Sequence, residues 1–282
     1  MTVALGRVAR VTLQQLRPAA GDSWFDRGYN SIAIEGLRAV FASSRAPSAK
    51  PRPTTIKIYN LSERTRADLQ VLPIAVLLEA GYATDGLRRI ASGDLRSART
   101  TRDGVTVVTT LEVADGDRAW RGASLDRGYR AGVPAVEVLR DAARACGLSL
   151  PARVESDPAL RAQLAGGYLA SGGALQQLER LLRGYGFEAS VEDGQLQVLR
   201  TGESRPGEAV LLGPDDLVGS PSRDARGRVA LKTPLDPRIR PGTLVQLRSL
   251  DVDGTFRVAA ARHEGDTRGG PWHTTAEATP WP

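Results

Sequence analysis

His263, Glu264, Asp266 and His273 have the donor types of a metal site. To hold one ion they would need adjacent strands of one hairpin, with all four side chains on the same face. Asp266 opens Asp266-Thr267-Arg268-Gly269-Gly270, a run with turn composition. An aspartate there more naturally accepts backbone N–H bonds, so the expectation is a structural role and no metal. Asp215-Asp216 and Asp115-x-Asp117 have the residue types for glycoside acid–base chemistry. That chemistry needs two carboxyls across a cleft, usually beside aromatic sugar platforms. Both pairs fall where turns or helix starts are expected, and capping is their reading. Cys146 is the single cysteine, so internal disulfides and cysteine-rich zinc sites are excluded. A catalytic thiol would need a histidine partner, and both histidines are far away in sequence. The same two histidines leave no defensible Ser/His/Asp triad. The glycine run Gly265–Gly270 lacks the Gly-Lys-Ser/Thr ending and the following helix of a phosphate loop. No catalytic, cofactor-binding or metal-binding residues are expected, and no cofactor.

The elements that would carry these residues are mostly strands. A near-alternating pattern runs through Val3, Leu5, Val8, Val11, Leu13 and Leu16, and Ser31 to Phe41 continues it more cleanly. Residues Ser43 to Pro53 read as an exposed loop. Thr55 to Tyr59 is a short strand, after which Ser62 can cap a short helix through Leu69. Strands follow at Val71–Tyr82, Leu87–Arg96 and Val105–Val113, with turns at Asp85-Gly86 and Asp103-Gly104. After Gly132 the period becomes helical. Val133, Val136, Val138, Leu139, Ala142, Ala143 and Cys146 mark one helix closed by Gly147. A second helix runs from about Gly173 to Gly184, and a hairpin turns at Glu192-Asp193-Gly194. Strand pattern returns at Val229–Leu231, Thr243–Leu247 and Thr255–Ala261, with Asp253-Gly254 as the turn between the last two. The fold class is mainly β with an α+β insertion.

Composition narrows the function classes. The chain has 282 residues, 41% hydrophobic and 25% charged, enough for two or three compact units with real cores. Its longest apolar run, Val71 to Ala80, is about half a bilayer span and contains Pro73 and Glu79. Arg7 and Arg10 interrupt any signal-peptide core, so the chain is read as made and folded in a cytoplasm. Net charge is +6. Residues 1–130 hold 20 basic and 13 acidic side chains, residues 131–201 hold 7 and 8, and the rest 11 and 11. The excess is dispersed, nearly all arginine, and accompanied by only 5% aromatic residues. That composition argues against a dedicated nucleic-acid module.

The run Ile56-Lys57-Ile58-Tyr59-Asn60-Leu61-Ser62-Glu63-Arg64-Thr65-Arg66 resembles the strand-to-helix segment of baseplate hub proteins of phage and prophage tails. Leu78-Glu79-Ala80-Gly81-Tyr82 and Ser92-Gly93-Asp94 extend the resemblance. So do Leu235 to Gly242, Phe256-Arg257-Val258, His263 to Thr267 and Trp272-His273-Thr274. The order and spacing of these pieces carry more weight than any one of them.

The resemblance implies two tail-tube-like β-barrel domains linked by a small α+β domain. On this chain they would be residues 1–130, 131–201 and 202–282, the last completed by strands from the N-terminal part. It further implies a homotrimer whose six barrels adapt a six-fold tail tube to a three-fold central spike. Partners would then be further copies of the chain, the tube or tube-initiator protein, the spike and the tape measure protein. No membrane is implied, and DNA would pass only as cargo through the lumen. The location would be the virion baseplate, after assembly in the host cytoplasm. Arg64, Arg66, Trp272 and Trp281 are the candidate interface residues, with burial under the last barrel an equal alternative for the two tryptophans. The alternatives are a tail-associated cell-wall-degrading enzyme and a basic nucleic-acid-binding module.

Overall fold

The computed structural model describes residues 6–15, 31–46, 53–70, 73–192, 194–207 and 209–282, with the backbone alone for 118–120. Val3, Leu5, Leu16, Val71, Leu72, Asp193 and part of the expected 43–53 loop lie outside them. Two compact units divide the described residues. The larger holds those up to Ala46, those from 53 to Ala114, and Arg205–Pro282; the other holds Asp115–Ser204. These limits differ from the expected 130/131 and 201/202, because the mixed unit also takes a helix and a strand that precede its first strongly periodic helix.

In the larger unit, β1 (Arg7–Gln15), β2 (Ser31–Ile34), β3 (Ala39–Arg45) and β4 (Pro53–Tyr59) lead to helix α1 (Glu63–Asp68). Then come β5 (Ile74–Tyr82), β6 (Gly86–Asp103) and β7 (Thr106–Ala114). Side chains alternate between the faces of a strand. That places Val11 and Leu13, Phe41, Ile56 and Ile58, Ile74, Val76 and Leu78, and Leu111 and Val113 in one core. Ser62 caps α1, its Oγ accepting from Thr65 N–H at 3.2 Å.

The mixed unit runs α2 (Asp117–Gly122), β8 (Arg127–Tyr129), α3 (Ala135–Ala145), α4 (Ala152–Glu155), α5 (Pro158–Arg161), β9 (Tyr168–Ala170), α6 (Ala174–Gly184), β10 (Phe187–Glu192) and β11 (Gln195–Arg200). The apolar stripes of α3 and α6 pack on each other and α6 lies on β10, burying Leu139, Leu175, Leu178 and Leu182 in one core with the β10–β11 hairpin. Each such leucine contributes about 2 kcal/mol. Gly147 sits at φ 68° directly after α3. Its N–H reaches Arg144 O, and Leu148 N–H reaches Ala143 O, the paired bonds of a Schellman stop.

The larger unit resumes with β12 (Val210–Leu212), a single 3-10 turn at Pro214–Asp216, β13 (Ser222–Arg223), β14 (Val229–Pro234), β15 (Leu244–Arg248), β16 (Asp253–Asp266) and β17 (Trp272–Pro280). Asp253-Gly254 is inside β16, with Asp253 opposite Arg248, so the turn is Ser249–Val252. Ser249 Oγ and backbone close that turn onto Val252. These strands enclose a second core around Val245, Leu247, Phe256 and Val258.

One hydrogen-bonded path joins the unit, in the order β13-β14-β17-β16-β3-β4-β7-β6-β5-β1-β2, with β12 and β15 branching from β16. Among the described residues the path stays open at β2 and β13. The mainly-β class with an α+β insertion is as expected; the strands of the larger unit form one continuous sheet over two cores, and among the described residues it does not close into a barrel. The joint is β16. Its first part, Asp253–Arg257, pairs with β15; its last part, Ala261–Asp266, pairs with β3. Between them its register against β17 shifts at Val258/Ala260, and such a bulge bends a strand and increases its twist.

Candidate functional site

Trp272 begins β17 opposite Gly265 of β16 and is only 6% exposed. Its indole meets Phe41 edge-on at 5.7 Å and Tyr82 at 6.3 Å between ring centroids. The Arg7 guanidinium lies 5.7 Å from the ring. A Cβ at Gly265 would fall 2.3 Å from Phe41 Cζ and 2.9 Å from Trp272, so this close packing requires glycine. Trp272 is therefore a core residue of the chain, the buried one of the two places open to it from the sequence. The pairing of β17 between β14 and β16 draws it inside.

The metal-type residues are separated by the same strand pair. His263 is buried, with Nδ1 2.9 Å from Thr274 Oγ1. Burial, reinforced by Arg45 and Arg240, pushes its pKa down to about 3, so the ring is neutral. Glu264, next along the strand, points to the other face and pairs with Arg262 at 2.7 Å and His273 at 3.3 Å. Hydrogen bonding from Arg262 holds Glu264 below the usual carboxylate range. Burial, more than any neighbour, lowers His273. Asp266 takes a bidentate bond from Arg38, at 3.1 and 2.7 Å, and accepts from Arg268 N–H at 2.9 Å. Burial raises its pKa, but those donors outweigh it and leave the group lowered. Among the described residues no cluster of three or more His, Cys, Asp or Glu side chains could hold a metal.

The carboxylate pairs have separate tasks as well. Asp115 accepts from Gly194 N–H at 3.1 Å, and Asp117 pairs with Arg121 at 3.0 Å. Asp216 accepts from Gly213 N–H at 2.9 Å across the 3-10 turn. The Cys146 thiol, at the end of α3, is half-buried, and burial raises its pKa to about 11. A thiol held that far from ionisation is a poor nucleophile.

Of the remaining interface candidates, Arg64 is exposed on α1. Arg66 is half-buried in the last turn of that helix, its Nε enclosed without an acceptor. Trp281 is half-buried beyond β17, its backbone N–H donating to Thr255 O at 2.9 Å.

Two surface features were not anticipated from the sequence. The first is a cleft of about 620 Å³ in the larger unit, lined by the β5–β6 turn, β12 with the 3-10 turn, and residues 233–238. Asp85, Asp215, Asp216 and Asp236 contribute carboxylates to it, and Leu211 is 64% exposed beside them. The second is the outer half of the β6–β7 hairpin. β5 pairs with β6 only as far as Asp94, and β4 with β7 only from Val108. Past Asp94 one edge of β6 is open while β4 still flanks β7; past Val108 the pairs Arg102–Val107 and Asp103–Thr106 form a short two-stranded ribbon at the tip. No glycine or proline interrupts residues 95–103, which is the signal that could have extended the expected strand beyond Arg96.

By sequence the chain matches no family model and no curated protein. By structure it is similar to the 43 kDa tail protein of prophage MuSo2 from Shewanella oneidensis: TM-score 0.64, 10% identity, with 96% of each chain covered. A tail protein from Neisseria meningitidis aligns with TM-score 0.63 and 11% identity over 98% of this chain and 96% of that one. An Escherichia coli type VI secretion component, itself described as structurally similar to bacteriophage T4 tail proteins, aligns with TM-score 0.61 and 11% identity. That match covers 87% of this chain and 73% of the other. From end to end, then, the chain has the fold of prophage tail proteins, as the hub resemblance implied.

Proposed function

We propose that the chain is a structural, non-enzymatic component of a phage-type tail: a homotrimeric baseplate hub that adapts a six-fold tube to a three-fold spike. The observation that carries this reading is the match to prophage tail proteins over nearly the whole of both chains. The fold's construction supports it too. Strands from both ends of the sequence share one sheet through β16, a framework suited to load-bearing between neighbours. The partners under this reading are the tube or its initiator, the spike and the tape measure protein, with DNA as cargo. The location is the virion baseplate, reached from the host cytoplasm.

The cell-wall-degrading alternative would need a free carboxylate pair in a cleft. In the cleft found, Asp236 is held by Arg238 at 2.7 Å and Asp216 by the turn backbone, which leaves Asp85 and Asp215, both exposed, as the pair for a hydrolysis assay to test. Light scattering of the purified protein across concentration and salt tests the hub reading. A trimer supports it; a monomer that stays monomeric after the spike protein is added overturns it. Peptidoglycan hydrolysis by the protein alone would favour the enzymatic alternative, and steep salt dependence of DNA binding the nucleic-acid one.

A further inference from the structure

The β6–β7 ribbon and the cleft are complementary, and they belong to opposite ends of one strand. Gly86, the first residue of β6, lines the cleft; Asp103, its last, reaches the tip of the ribbon. Eighteen residues of strand give a contour of roughly 55 Å between them. Residues 96–107 carry Arg96, Arg99 and Arg102 against Asp103 alone. Arg99 and Arg102 are exposed and fall on opposite faces of the hairpin, Arg99 on the open edge of β6 opposite Thr110 and Arg102 past the last β4 pair, opposite Val107. Neither has an ion-pair partner among the described residues. Val105, in the tip, is fully exposed.

The cleft has the opposite character. Its four aspartates outnumber Arg88 and Arg238, and Arg238 is occupied by both oxygens of Asp236. The carboxylates come from three separate chain segments, so the negative potential is spread along the cleft. Leu211 offers exposed apolar surface in the same place. It stands on β12, which pairs only with β15 among the described residues.

We propose that the β6–β7 arm of one copy seats in this cleft of the next copy. Arg99 and Arg102 meet the cleft aspartates, and Val105 covers Leu211. Donor and acceptor are different surfaces, so the contact is heterologous: it closes a ring or runs on as a filament. The proposal rests on the hub reading for the closed form, since a ring of three needs such a head-to-tail contact.

The experiment uses two full-length variants, Arg99→Glu/Arg102→Glu in the arm and Asp85→Lys/Asp215→Lys in the cleft. All four positions are exposed, and circular dichroism would verify the fold of each variant. Light scattering across concentration is expected to show that each variant alone needs about tenfold or more protein to associate. Mixed one to one, the acidic arm meets the basic cleft and the basic arm the acidic one. Association is then restored, but alternating copies can close only into even-numbered assemblies. Variants that associate as the wild type does would overturn the arm-in-cleft contact while leaving a wild-type trimer, and so the hub reading, intact. A wild type that stays monomeric at every soluble concentration overturns self-docking, and addition of the spike then tests the hub separately.

Discussion

The two long strands of the larger unit, β16 and β6, spend their length differently. β16 has partners along both edges, β17 on one side and β15 then β3 on the other. Phe256, Val258 and Ala261 belong to the second core, and Gly265 leaves room for Phe41 and Trp272 of the first. β6 is fully flanked only through Asp94 and then continues with β7 alone. Both carry a register shift, at Val258/Ala260 in β16 and at Leu95/Ser97 in β6. In β16 the shift lies where the strand changes partner from β15 to β3; in β6 it lies just past the last residue paired with β5, where one edge of the strand opens. The lesson is that strand length alone does not signify core. A long strand with two satisfied edges holds the protomer together, whereas one with a free edge offers backbone and side chains to a neighbour.

If this contrast is right, substitutions along β16 should unfold the protein and substitutions in the outer half of β6 should not. The largest effect is expected from Phe41→Ala, which removes the ring that Gly265 and Trp272 enclose. A loss of about 4 kcal/mol in denaturant unfolding is expected, and a loss below about 1 kcal/mol would mean the joint repacks freely. Next is Gly265→Ala, whose methyl would collide with Phe41 and Trp272; overpacking of this kind costs about 3 kcal/mol.

A third effect is pH-dependent. His263 has a folded pKa of about 3, below its unfolded value near 6.5. The unfolded chain therefore binds the proton first. The stability is complete above about pH 6.5 and is lost as pH falls towards the folded pKa. By pH 5 the loss should reach about 2 kcal/mol. Most carboxylates are still ionised in that window, so His263→Gln should flatten the pH 5–7 stability profile. Any slope that survives belongs to His273, which is lowered in the same direction, and near pH 5 to lowered carboxylates such as Glu264. An unchanged profile would show that the His263 pocket opens before unfolding. The smallest effect is expected from Arg102→Ala in the arm, within about 0.5 kcal/mol of wild type by thermal unfolding. A larger loss would place the arm among the protomer's own supports and erase the contrast.

How much of this was legible in the sequence depended on whether the relevant contact is local. Alternation found β4 and the buried pattern of Ile56 and Ile58. Helical spacing found α3 and α6, and Gly147 ends the first as a glycine stop should. These are decided within a few residues. The change of partner along β16 joins Ala261 to Arg45, and no period in either segment announces it. Asp253-Gly254 has turn composition, yet cross-strand pairing with Arg248 absorbed it into β16, and the side chain of Ser249 supplied the turn instead. Trp272 looked equally suited to a surface, because burial is set by β14 and β16 on either side of it. Of the two carboxylate pairs read as turns and caps, Asp216 closes its turn, whereas Asp115 bonds the distant Gly194 N–H and Asp117 pairs with Arg121 without capping α2. The cleft that Asp85, Asp215, Asp216 and Asp236 share was invisible, because its walls come from chain segments far apart in sequence.

The pairing of β3 with β16 also sets an order of events in time. Arg45, at the end of β3, waits for Ala261, 216 residues later. At roughly 5–20 residues per second, a ribosome needs about ten to forty seconds to make that stretch. Through that interval β3 has β4 on one side and an empty edge on the other, the kind of edge that recruits foreign strands. Folding that depends on so distant a partner is slow for reasons of topology alone. Nascent chains on one message would thus be vulnerable to mispairing at this edge, until β16 emerges and seals it.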